Sequence, residues 1–173
     1  MTYHNLTATI ERLTGHNLTE PETFKILNAI EDDEIEMERI RKEQRDQQNQ
    51  NKLNHILNTV ALFHDIEPDM LKVKRRNRVI VEPRQLCFAL IMFGLKMSCE
   101  RVGEQMGQFD HVTVLYGIGK VSERYQAYKH YRSHVDEIIA ILFSSDEIQQ
   151  HIKARIIDPH LDRKHSYAKL ETA

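Results

Sequence analysis

The sequence predicts an all-α protein, a helical bundle built around a helix-turn-helix with an N-terminal helical extension. Three observations carry this. The 173 residues include only six Gly and four Pro, and long runs of Leu, Ile, Glu, Lys, Gln and Arg favour helix over strand. Apolar residues recur at helical spacing, as in Leu53, Ile56, Leu57, Val60 and Ala61. Two helical segments meet at Gly107, and a residue able to cap stands before each, Ser98 and Asp110. The length suits one compact domain with an appendage.

Leu6, Ile10 and Leu13 form one stripe and predict a short helix ending at Gly15. Thr19-Glu-Pro-Glu22 opens the next helix: Thr19 caps, Pro21 suits the first turn, and Glu22 completes a Thr-x-x-Glu box. Phe24, Leu27, Ile30, Ile35, Met37 and Ile40 follow with loose helical spacing, a stripe that predicts a homodimer through the N-terminal helix. Glu31 to Glu38 reads as a solvated face. Gln44 to Asn51 is polar throughout, either exposed helix or flexible joint, and divides an extension of residues 1–50 from a central domain of residues 51–143.

From Lys52 the chain becomes core-forming, with Leu53, Ile56, Leu57, Val60, Ala61 and Phe63 on one face. Glu67-Pro-Asp breaks this helix near Asp65, and Met70 and Leu71 pin a turn. A basic loop, Lys72-Val-Lys-Arg-Arg-Asn-Arg78, follows. Pro83 is expected as the first residue of a buried helix, whose stretch Leu86 to Leu95 is nearly all apolar and which ends at or just after Gly94. Ser98 caps a short helix with Val102, Gly103 and Met106. Gly107 closes it, because a left-handed C-terminal residue is cheap only for Gly. Asp110 caps the next helix, with Val114, Leu115, Ile118 and Val121 as its inner face. A helix from about His130 to Phe143, another over 144–157 and a polar tail from Asp158 complete the chain, residues 144–173 forming a C-terminal segment.

Net charge is −2, but the average hides a split. Glu31 to Asp46 carries eight acids and four bases, whereas Lys72 to Arg84 carries six bases and one acid, Glu82. Such a local patch steers toward phosphate whatever the total. Cys87 and Cys99 stand twelve apart with no CxxC, which fits unpaired thiols in a reducing compartment. Met1 to Ile10 lacks the pattern of a signal peptide, and no run of 18 apolar residues exists, so a cytoplasmic protein is expected. His130 and His134 have the spacing of a metal pair but no third ligand at a convincing distance, so no metal is expected. No Ser-His-Asp order or paired acids point to catalysis, and no cofactor is implied.

These motifs together resemble one family. Residues 53–121 are similar to the C-terminal DNA-binding domain of the bacterial replication initiator DnaA, a Trp-repressor-like helix-turn-helix known as domain IV. The resemblance rests on Lys74-Arg-Arg-Asn-Arg78, on Pro83-Arg-Gln85, and on Gly103, Gly107 and Asp110-His-Val-Thr-Val114, with no gap from Lys74 to Lys120. It implies double-stranded DNA as partner, at an A·T-rich site like the DnaA box. His111 and Val112 would face base edges, Val112 touching thymine methyls where the family has Thr. Thr113 would bond phosphate. Arg75 or Arg76 would enter the adjacent minor groove. Arg84 would bind phosphate or a base, with Lys74, Arg78 and Gln85 as secondary phosphate contacts. Asp110 is chiefly the helix cap.

Phe109 stands where the family has Arg, Glu82 where it has Arg before Pro, and Met92 where it has Lys. Weaker binding or a different preferred sequence is therefore expected. No Gly-x-x-x-x-Gly-Lys-[Ser/Thr] occurs, so ATP is not an expected ligand. The implied role is nucleoid-associated: origin binding or regulation of replication initiation. The alternatives are a transcription regulator of a mobile element and a protein–protein adaptor that uses residues 20–64 and a degraded helix-turn-helix.

Overall fold

The computed structural model describes residues 12, 15 and 19–159. The expected short helix before Gly15 and the tail beyond residue 159 lie outside the described residues. Within them the secondary structure is helical, with no strand: α1 (Glu20–Phe63), a 3-10 turn (Pro68–Lys72), α2 (Arg78–Gly94), α3 (Cys99–Gln105), α4 (His111–Ala127), α5 (Lys129–Leu142) and α6 (Asp146–Ile157). The chain divides into two compact units, Met1–Gln48 and Asn49–Ala173.

In the first unit, Thr19 and Glu22 bracket the start of α1. The Thr19 amide donates to Glu22 Oε2 at 3.0 Å and the Thr19 hydroxyl to the same oxygen at 2.6 Å. Every residue from Glu31 to Gln48 is exposed. The polar stretch Gln44–Asn51 is helical throughout, and the division between the two units falls within it.

The second unit holds the core. Leu53, Ile56, Leu57, Val60 and Ala61 from α1 pack with the apolar run Leu86–Ile91 of α2, and each is at most 2 % exposed. Val102 and Met106, then Val114, Ile118 and Val121, close the helix-turn-helix over them. Each such Leu, Ile or Val contributes about 1.5–3 kcal/mol of transfer free energy. Val135, Ile138 and Ile139 of α5, and Ile152 and Ile156 of α6, join the same cluster. The core thus runs past residue 143, and α6 is one of its walls.

Two local expectations are corrected. The buried helix does not start at Pro83. It starts five residues earlier, where Asn77 Oδ1 accepts from the Val79 amide at 3.1 Å. Pro83 then sits inside α2 and removes the bond to the Val79 carbonyl. That loss is tolerable because Val79 is exposed and its carbonyl can reach water. Leu115, expected on the inner face of α4, is 38 % exposed, since the buried stripe runs through Val114, Gly117, Ile118, Val121, Ser122 and Tyr125 and passes it by.

Candidate nucleic-acid interface

The helix-turn-helix is α3, the tight turn of residues 106–110, and α4. Ser98 Oγ accepts from the Arg101 amide at 3.4 Å and starts α3. The turn needs two glycines. Gly107 has φ of 107°, and a Cβ there would lie 2.2 Å from the Lys72 carbonyl oxygen. A Cβ on Gly103 would lie 2.0 Å from the Phe109 carbonyl oxygen, and the Gly103 carbonyl accepts from the Phe109 amide at 2.9 Å. Gly107 therefore does more than end a helix: it lets the chain at the head of the basic loop rest against the turn. Asp110 Oδ1 caps α4 by accepting from the Val112 amide at 2.7 Å and stands 3.6 Å from His111 Nδ1.

This cap leaves His111, Val112 and Thr113 on the open first turn of α4, all exposed, with Val112 at 61 %. Lys74, Arg75 and Arg76 are likewise exposed. These three cations and Thr113 line one groove of about 520 Å³, together with Arg84, Phe109 and Tyr116. Loop and helix head thus face solvent on two sides of a single cleft.

Arg84 holds the loop in that place. It was expected to touch DNA, but it is only 5 % exposed. Its guanidinium donates to the backbone carbonyls of Leu71 at 2.8 Å, of Arg75 at 3.1 Å and of Val73. Burial lowers its pKa, with Cys87 opposing, yet a guanidinium stays charged in proteins. Gln85, expected as a phosphate contact, is 8 % exposed and accepts from Arg124 Nη2 at 2.6 Å. Both residues point inward because α2 begins at Arg78 and turns Arg84 and Gln85 toward the core rather than to the surface.

Arg78 keeps its exposure, but its Nε donates to Glu82 Oε1 at 2.6 Å, and Arg124 stands 3.5 Å from the same oxygen. Phe109 is the floor. Its ring meets Phe88 edge-on at 5.5 Å, and the Arg84 guanidinium lies 4.9 Å and the Lys74 ammonium 5.7 Å from its centre. A basic residue there would meet Arg84, so an aromatic ring suits the place. Two exposed side chains of α4 escaped the reading of the sequence, Leu115 and Tyr116, the latter with the Lys120 ammonium 5.5 Å from its ring. Their signal was the i, i+3 and i, i+4 spacing from Val112, which puts them on the same open face.

His134 packs edge-on against His64 and Phe63, and among the described residues no three His, Cys, Asp or Glu side chains cluster together. Cys87 is buried in the core, where burial raises its thiol's pKa.

Comparison with known proteins decides the kind of site. Residues 53–121 match the family model described as the bacterial dnaA protein helix-turn-helix. That segment is therefore similar to the DnaA helix-turn-helix family. Relatives agree: the chain is 33% identical over 115 residues to the chromosomal replication initiator protein DnaA of Nitrosospira multiformis, covering 65% of this chain and 21% of that protein. It is 35% identical over 80 residues to the DnaA of Chloroflexus aggregans, covering 46% of this chain and 17% of that one. The chain spans about a fifth of the length of the curated relatives it matches. Among the described residues no helix is long and apolar enough to cross a membrane.

Proposed function

We propose that this chain binds double-stranded DNA sequence-specifically, with the head of α4 in the major groove and the Lys74–Arg76 loop in the adjacent minor groove. The observation that carries this is that Thr113, next to the exposed His111 and Val112 at the head of α4, lines one cleft with three exposed cations, Lys74, Arg75 and Arg76. A Val that is 61 % exposed at a helix head adds nothing to the core, whereas it suits a thymine methyl. The cleft between loop and helix would straddle one sugar-phosphate strand, with Lys74 and Thr113 on its phosphates. Arg75 and Arg76 would seek the narrow minor groove of an A·T-rich site.

The relatives are replication initiators, so the reading extends to a DnaA-box-like target and to origin binding or the regulation of initiation, at the nucleoid in the cytoplasm. Arg84 and Gln85 drop out of the contact set, and Arg78 takes part only when DNA phosphate displaces Glu82.

The test is fluorescence anisotropy with a DnaA-box duplex and a scrambled duplex at two salt concentrations. Box-preferring binding that weakens with salt supports the reading. Equal binding to both, lost with salt, keeps DNA as partner and removes the box. No binding to either overturns the proposal in favour of a protein–protein adaptor.

A further inference from the structure

The basic cleft leaves one part of the chain unexplained, the long solvated stretch of α1. We propose that residues 30–47 of α1 pair with the same segment of a second copy of this chain, running antiparallel. This is independent of the DNA reading.

Covering is physically called for. Every residue from Glu31 to Gln48 is exposed, and a helix without a packed face is marginal in water. Ile30, Met37 and Ile40, with the polar Asp33 and Gln44, follow each other at spacings of three and four, the register of a short coiled-coil seam, while Ile35 lies off it. Met37 is 49 % exposed and Ile40 37 %.

Charge chooses the partner and the direction. Glu31, Asp32, Asp33, Glu34, Glu36 and Glu38 crowd one half, while Arg39, Arg41, Lys42 and Arg45 share the other with Glu43 and Asp46. Along the helix this order is unfavourable, since Asp32–Glu36 and Glu34–Glu38 are like charges four apart. A parallel second copy would add acid to acid and set Asp33 on Asp33 in the seam. An antiparallel copy, crossing between Met37 and Ile40, sets Met37 against the second copy's Ile40 and the reverse. Asp33 then meets Gln44, whose amide can donate to it, and Glu34 flanks Arg41. Glu36 and Glu43 would be neighbours across this interface, but Arg39 already bridges them within the helix, at 3.0 Å and 3.8 Å.

The test is sedimentation equilibrium of the full chain without DNA, from about 1 to about 100 µM. A monomer–dimer equilibrium is expected. Arg41→Glu should raise the dissociation constant about tenfold, because the exposed pair occurs twice and each attraction becomes a repulsion. Glu34→Arg should do the same, and the double variant Glu34→Arg/Arg41→Glu should restore dimerisation. Met37→Asp should abolish it, and because Met37 is exposed the helical circular dichroism of the second unit should persist. A monomer throughout the range overturns the proposal. A dimer indifferent to Met37→Asp places the interface elsewhere and overturns it as well. Rescue failing in the double variant rejects the antiparallel register. None of these outcomes depends on whether the chain binds DNA.

Discussion

At the residue scale, Arg84 and Glu82 show how far the charge of a side chain is from its use. Both lie in a basic segment, yet Arg84 is bonded to the loop's backbone and Glu82 to Arg78. Arg84 donates to three carbonyls, two of which, those of Leu71 and Arg75, have no other donor among the bonds of the described residues. Leaving them unpaired costs about 1–3 kcal/mol for a buried group. Arg84→Lys keeps the charge but cannot span three acceptors, so it should lower the melting temperature and weaken DNA binding together. A phosphate contact would instead tolerate Lys at unchanged stability, which thermal melting beside anisotropy would reveal. Glu82 neutralises Arg78 at 2.6 Å. Glu82→Gln frees that cation, and the slope of log affinity against log salt should steepen by about one unit. An unchanged slope would mean that Arg78 stays away from phosphate. Neither role was legible in the sequence. Basic residues near a helix-turn-helix read as phosphate contacts, and only the tertiary fold reveals where backbone carbonyls converge.

At the element scale, the helix-turn-helix was legible because its signals are local. Ser98, Gly107 and Asp110 act within a turn of their own position, and all three do what their residue types prescribe. The start of α2 was misjudged for the converse reason. Pro83 carries a strong local preference, but Asn77 as cap and the burial of Ile80 outweigh it. Likewise Leu115 is apolar yet exposed, because the buried stripe of α4 follows Val114, Gly117, Ile118 and Val121 and leaves it to one side. Two glycines give a paired prediction. A Cβ on Gly103 would meet the Phe109 carbonyl oxygen at 2.0 Å, backbone that cannot move without opening the turn. Gly103→Ala should therefore destabilise the domain by more than about 2 kcal/mol. A Cβ on Gly119, inside α4, meets nothing within 4 Å. Gly119→Ala should raise stability by about 0.5–1 kcal/mol through helix propensity alone. Urea unfolding of the two variants measures the contrast. Equal effects would mean that the turn yields, or that α4 resists alanine for a reason its surroundings do not show.

At the scale of the whole molecule, the second unit joins the end of α1 to α5 through aromatic and imidazole rings, and that junction makes stability depend on pH. The His64 ring meets His134 edge-on at 5.1 Å, and Phe63 meets His134 at 5.5 Å. Burial is the largest influence lowering the His64 pKa from its usual 6.5; His134 lowers it further, and Glu82 opposes both. The folded state therefore holds fewer protons than the unfolded chain as the solution becomes acidic. Because the folded pKa lies below the unfolded one, the stabilisation is fully present above about 6.5. It is lost as pH falls from there through the depressed folded value. The core of Leu, Ile and Val does not titrate, so this junction should yield before the rest, and amides at the end of α1 should have smaller protection factors, relative to the intrinsic exchange rate at each pH, near pH 5 than near pH 7. His64→Phe keeps an aromatic ring against His134 and removes both the titrating group and its charge. Urea midpoints taken between pH 7.5 and pH 5 should fall less steeply in this variant than in the parent chain. Parallel curves for the two proteins would mean that other groups, carboxylates that gain protons over the same range, set the acid response, and that the His64 junction is only packing.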